Sequence, residues 1–108
     1  MMRNGWASLF MAATLAFPAA QAEPSGARQL ELRHLLLQDC GSCHGMTLKG
    51  GLGPTLLPSA LEGKPDALLV STILFGRAGT AMPPWRELLT EADAVWLVEQ
   101  LRAGVTHE

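Results

Sequence analysis

The sequence is short of basic residues: eight Lys and Arg stand against ten Asp and Glu, for a net charge of −2 with histidine neutral. Nucleic acid is excluded as a partner on that count, because phosphate contacts need a basic face. Cysteine is scarcer still. The two present are Cys40 and Cys43, and a pair three residues apart cannot tie distant elements together. Strand-like alternation and internal repeats are both missing, which removes all-β and solenoid architectures. No apolar run reaches the ~20 residues that a membrane span needs; the candidate from Trp6 to Phe17 is followed by Pro18. A length of 108 residues leaves room for one domain at most.

What stands at the N-terminus reads instead as a secretory signal over residues 1–22, with the single Arg3, the mostly apolar run and Ala20-Gln21-Ala22 as a small-residue cleavage site. The mature chain is then residues 23–108, with no stable membrane insertion after cleavage. Arg3 leaves with the signal, so seven Lys and Arg face ten Asp and Glu and the net charge falls from −2 to about −3. A chain this small buries only about 60% of its unfolded surface, and such folds often need a disulfide, a metal or another staple. Something besides side chains is therefore expected to complete the core.

Glu23 to Gly26 is a polar tail. From Ala27 to Asp39 there is neither Pro nor Gly, and Leu30, Leu32, Leu35, Leu36 and Leu37 predict a helix with a broad apolar stripe that runs straight into Cys40. The stretch from Gly41 to Pro58 holds five glycines and two prolines, too broken for regular structure, and is expected to be a loop wrapped on something. Pro65 and Asp66 suit the first turn of a second helix through Leu68, Leu69, Ile73 and Leu74, stopped at Gly76. A second irregular segment runs from Arg77 to Trp85. Thr90 and Asp93 then form a capping-box pattern, followed by Ala94, Leu97, Val98 and Leu101 at helical spacing.

Cys40-Gly41-Ser42-Cys43-His44 is the strongest chemical signal, because its spacing is that of c-type haem attachment. Two thiols three apart can each add to one vinyl group, and the adjacent imidazole is then placed under the iron. A thioredoxin-like reading needs a preceding strand and a βαβ context, which are missing here. A zinc site needs a second ligand pair, and His34 and His107 lack that spacing. A plain short disulfide stays open in an oxidising compartment.

One imidazole leaves a sixth iron position to fill. Met46, two residues past His44, is held near the proximal side. Met82 lies in Gly79-Thr80-Ala81-Met82-Pro83-Pro84-Trp85, where two prolines stiffen a loop able to hold one thioether at one depth. His34 would approach from the attachment side and reads as a surface or packing residue, and His107 is close to a free end. A ligating histidine usually donates its other ring nitrogen to a carbonyl or carboxylate. Pro54, in Gly51-Leu52-Gly53-Pro54-Thr55-Leu56, could present such a carbonyl, although spacing alone does not separate this from an ordinary turn proline.

In this order (helix, Cys-x-x-Cys-His, Gly-Pro-x-Leu loop, helix, Met-Pro loop, amphipathic helix) the mature chain resembles the class I cytochrome c family. The resemblance implies an all-α fold of three main helices around one covalent haem c, with the first and last helices crossing. It also implies that the Pro54 carbonyl takes the proximal histidine's proton and that His44 and Met82 complete a six-coordinate iron. Trp96 stands where the family commonly has an aromatic residue near the crossing; core packing would explain it equally well. The compact run Met46 to Leu56 and the segment Met82-Pro83-Pro84-Trp85 further resemble the small periplasmic monohaem cytochromes associated with the haem c and d nitrite reductase of denitrifying bacteria.

The expected function is that of a monomeric periplasmic single-electron carrier, not an enzyme, with a nitrite reductase as its redox partner. A peroxidase or gas-binding protein needs an open sixth site with polar distal groups, and no second histidine or arginine is clearly placed for that. A part in maturing the reductase's special haem is the remaining alternative, which the residues do not separate from a carrier. Lys49, Arg77 and Arg86 flank the two haem-contacting loops and offer a locally basic rim, against the plainer reading of scattered solvated charges.

Overall fold

The computed structural model of the chain describes residues 11–16 and 22–106. The signal expected over residues 1–22 falls largely outside these, as does His107. The order of elements is α1 (Gly26–Leu35), a π turn (Leu36–Cys40), α2 (Gly41–His44), α3 (Pro58–Leu61), α4 (Asp66–Phe75) and α5 (Glu91–Ala103). Among the described residues there is no strand, and no helix is long and apolar enough to cross a membrane.

The first helix starts where Ser25 accepts the Arg28 N–H on its hydroxyl, which satisfies one of the free donors of the first turn. It does not run uniformly into Cys40. After Leu35 the chain widens into a π turn and then resumes as α-helix through His44, so the Cys-x-x-Cys-His segment is helical where a loop from Gly41 was expected. The cost of glycine inside a helix, about 1 kcal/mol, is met here by packing: Gly41 is buried against Met46. The helix ends at Gly45, whose φ of +93° suits glycine. The apolar stripe is also narrower than the leucines suggested, since Leu32 and Leu36 are buried while Leu30 is exposed.

Pro58 occupies the first turn of α3, which broken composition had hidden. The later helices follow their local signals. Pro65 caps α4, Gly76 ends it at φ +68°, and α5 carries the complete capping box between Thr90 and Asp93. Leu32 and Leu36 meet Ala94, Leu97 and Leu101 of α5 and Leu74 of α4 in one core, closed below by Leu48, Leu61 and Leu89, with Trp85 and Trp96 packed at its edge. Each fully buried leucine contributes about 1.5–3 kcal/mol.

One polar clamp ties α1 to α5 where the two helices meet. Arg28 of α1 donates to Asp93 of α5 at 2.8 and 3.3 Å and to the Leu88 carbonyl at 2.9 Å, while Asp93 also accepts the Thr90 N–H at 3.1 Å. Burial alone would push the Asp93 carboxyl up, but the hydrogen bonds from Arg28 and Thr90 outweigh it and hold the group below its ordinary value. A carboxyl lowered on folding stabilises the native state above its unfolded value near ~4, and that contribution is lost as pH falls through the folded value. Replacing Asp93 with Asn is expected to cost about 1–3 kcal/mol at pH 7 and to flatten the stability change between pH 5 and 3. Denaturant titrations of the haem-loaded protein at both pH values check this; parallel curves for parent and variant would refute it.

Candidate haem-binding site

The π turn and α2 present the attachment residues. Cys40 is half-buried, Cys43 is exposed, and both thiols are free. Burial, followed by the neighbouring Asp39 charge, pushes the Cys40 thiol up to about 11. Ser42 donates to the Asp39 carbonyl at 2.7 Å and closes the turn between the two cysteines. After Gly45 the chain doubles back across α2: Gly50 N–H reaches the His44 carbonyl and Gly53 N–H the Cys43 carbonyl, each at 2.8 Å. Glycine is required for this return. A Cβ on Gly45 would stand 2.5 Å from the Gly50 carbonyl oxygen, and one on Gly51 would stand 2.8 Å from that of Cys43.

The returning segment also orients the histidine. His44 Nδ1 lies 2.7 Å from the Pro54 carbonyl oxygen. A carbonyl only accepts, so Nδ1 carries the proton and donates, and Nε2 is left with its lone pair. Gly53 backs the ring so closely that a Cβ there would meet Nδ1 and Cε1 at 2.8 Å. Farther along, Leu48 is buried at φ +59°, and its carbonyl accepts from Leu56 N–H at 2.9 Å and from the Thr55 hydroxyl at 3.2 Å. These bonds hold the loop together without any regular element.

Met82 is supplied by a different part of the fold. The segment Arg77–Met82 closes on itself through Arg77 N–H to the Met82 carbonyl at 3.2 Å. Inside it, the Thr80 hydroxyl donates to the Arg77 carbonyl at 2.7 Å and accepts the Met82 N–H at 3.3 Å. Beyond the prolines, Trp85 and Arg86 N–H groups bond the carbonyls of Ile73 and Leu74, capping the open end of α4. Met82 is half-buried in this loop. Met46 is exposed and lies against Gly41 on the attachment side, and His34 is exposed on α1.

Thus Cys40, Cys43, His44 and Pro54 form one cluster built from the π turn, α2 and the loop crossing it, while Met82 rides on the end of α4. Gly53 and Gly76 are both in direct contact with the site's backbone or side chains, yet the sequence marked Gly76 only as a helix stop and Gly53 only as part of a glycine-rich loop, neither as a site residue. The Gly-x-Gly-Pro run and the isolated glycine closing α4 were their only signals.

Two free thiols, an imidazole oriented through Nδ1 and a separately held thioether make a donor set that fits a covalently attached haem. The apolar Leu52, 91% exposed beside the Gly53 that backs the His44 ring, also suits a site completed by an apolar group. A zinc site does not fit: among the described residues no three His, Cys, Asp or Glu side chains cluster to hold a metal ion. Lys49, Arg77 and Arg86 are exposed around these loops, and none of them makes an ion pair among the described residues. Arg86 lies over the Phe75 ring at 5.8 Å.

The chain is similar to several known proteins. The family model described as cytochrome c oxidase, cbb3-type, subunit III matches residues 27–100. Cytochrome c55X of Pseudomonas aeruginosa is 58% identical over 99 residues, covering 89% of this chain and 83% of that protein. A solved structure of a c-type cytochrome, NirC, is 61% identical with a TM-score of 0.73, over 74% of this chain and 94% of its own. Dihydro-heme d1 dehydrogenase NirN in complex with DHE matches at 39% identity and a TM-score of 0.62, over 69% of this chain but 16% of the larger one. The all-α fold, the haem-attachment cluster and these likenesses lead to one conclusion: the chain belongs to the class I c-type cytochromes, in the group of cytochrome c55X, and is an electron carrier with covalently bound haem c rather than an enzyme.

Proposed function

We propose that Cys40 and Cys43 each add their S–H across one haem vinyl group, that His44 and Met82 ligate the iron, and that the loaded protein passes single electrons to a nitrite reductase in the periplasm. Residues 1–22 direct export and are removed, leaving a monomer of residues 23–108. The observation that carries the ligand assignment is the 2.7 Å contact of His44 Nδ1 with the Pro54 carbonyl, which leaves Nε2 free to coordinate. The group itself supplies an iron that changes charge by one electron.

The chain's residues tune that change. Pro54 keeps the Nδ1 proton in place and makes the imidazole a better donor. The Met82 thioether favours the reduced state and raises the potential. With His44 and Met82 both holding the group, no position would be left for nitrite, so the protein would deliver electrons without performing the reduction. The likeness to cytochrome c55X and NirC supports the denitrification setting, and the exposed Lys49, Arg77 and Arg86 suit a transient contact with an acidic patch on the partner.

A second reading rests on one observation: this module recurs as a small part of a chain named for dihydro-heme d1. In that reading the protein handles electrons during maturation of the reductase's special haem. Stopped-flow mixing of the reduced protein with purified nitrite reductase separates the two. Transfer is expected to slow as salt rises and to slow several-fold more at low salt in Arg86→Glu, because rim charges mainly set encounter rates. Transfer to a haem-maturation enzyme alone would replace the first reading with the second.

A further inference from the structure

The sixth ligand sits in a loop with no helix of its own, so something else must set the depth of its sulfur. We infer that Gly76, at the end of α4, is the positioning residue for Met82. The inference rests on Met82 being the distal ligand.

Three observations carry it. Gly76 has φ +68°, and a Cβ built there would lie 2.6 Å from the Met82 carbonyl oxygen, 2.8 Å from Pro83 C and 2.9 Å from Pro84 N. All three are backbone atoms, two of them in proline units whose φ is locked, so no flexible side chain can give way. The loop above is closed by Arg77 N–H to the Met82 carbonyl and braced inside by Thr80, so it moves as a piece. Its far end is tied to the same helix through Trp85 and Arg86 N–H on the Ile73 and Leu74 carbonyls. The segment bearing Met82 is therefore seated directly on the backbone of α4, and the missing side chain at residue 76 is the seat.

Adding one methyl group at Gly76 has a calculable consequence. Ordinary contact begins near 3.4 Å, so the Met82 carbonyl at 2.6 Å must retreat by about 0.8 Å. Ligand distances at a metal are held within about 0.2 Å, and a rigid loop transmits that retreat to the sulfur. Gly79 provides the control. It has φ +74° in the same loop, but a Cβ there would meet nothing within 4 Å. Gly79→Ala thus also puts a side chain at positive φ, without the collision.

The test uses the haem-loaded protein with three variants, Gly76→Ala, Gly79→Ala and Met82→Ala, and two measurements. One is the weak far-red absorption of ferric haem ligated by methionine sulfur; the other is carbon monoxide affinity of the reduced form. Gly76→Ala is expected to lose that band and to bind carbon monoxide at least tenfold more tightly, with the covalent haem and helical circular dichroism retained. Gly79→Ala is expected to keep the band. Combining Gly76→Ala with Met82→Ala should change carbon monoxide affinity no further than Met82→Ala alone, because the glycine acts through that ligand. If Gly76→Ala does not fold, Thr80→Val, which removes the brace without adding a collision, is expected to weaken the band, and Thr80→Ser to restore it. An unchanged band in Gly76→Ala, or in Thr80→Val where the first variant is unfolded, overturns the inference. Equal loss in Gly76→Ala and Gly79→Ala also overturns it, in favour of backbone strain. A parent protein whose band is absent, or indifferent to Met82→Ala, removes the ligand assignment itself and the inference with it.

Discussion

Replacing both Cys40 and Cys43 with alanine is expected to abolish covalent haem attachment and to leave a chain that does not fold cooperatively. The two thiols stand at the end of the π turn and on α2, and they are the only cysteines the protein has. No other residue can make a thioether bond. The loss extends beyond the cofactor, because small folds often need a staple in addition to their side-chain core. The glycine loop from Gly45 to Gly53 gives that core one side chain, Leu48, and is otherwise held mainly by backbone bonds to α2. Without an attached group beside it, the rest of that loop has little to pack on. Haem staining on a denaturing gel should show no stain in the double variant and reduced stain in either single variant, where one thioether bond can still form. Thermal melts followed by circular dichroism should lose their sharp transition in the double variant only. Stain retained by the double variant would refute the attachment assignment.

Met82→Ala is expected to produce the second large effect, and it separates a carrier from a gas-binding protein. The loop that holds Met82 is closed by its own backbone bonds, so truncating the thioether removes a donor while the scaffold stays in place. The iron then has an open position on one side. The reduced protein should bind carbon monoxide at least tenfold more tightly than the parent, a difference of about 1.4 kcal/mol or more, and the reduction potential should fall because the thioether no longer favours the reduced state. Met46 cannot substitute, since it lies against Gly41 on the attachment side. Equilibrium titration with carbon monoxide and a redox titration check both outcomes. Rapid binding by the unaltered protein would point to a gas-binding role, and an unchanged spectrum in the variant would point to another ligand.

Much of this site could be read directly from residue order. The spacing of Cys40, Cys43 and His44 is a chemical constraint written in consecutive residues, and it needs no fold to be recognised. The capping box at Thr90 and Asp93 and the glycine stop at Gly76 are also local, because each bonds or bends within one turn of its own helix. Leu97 and Leu101 revealed their buried face through periodicity alone.

Other features depended on groups far apart in the chain. The π turn between Leu35 and Gly41 has no composition of its own; the leucines there would suit an uninterrupted α-helix equally well. Leu30 looked like part of the apolar stripe and is exposed, because which leucines are covered depends on where α5 crosses. The clamp of Arg28 on Asp93 spans 65 positions, so nothing near either residue announces it. Residue order alone allowed Pro54 to be a turn proline or the partner of His44; the fold of the glycine loop brought its carbonyl to 2.7 Å from the ring. The sequence also placed Met82 in a stiff loop without saying what the loop rests on. Residue types and short spacings thus specified the three longer helices, the attachment motif and the class of cofactor, since these follow from covalent geometry and nearest-turn bonding. The orientation of His44 and the seating of Met82 on α4 came only with the tertiary structure, because backbone carbonyls, amides and absent side chains make those contacts and carry no signature in the order of residues.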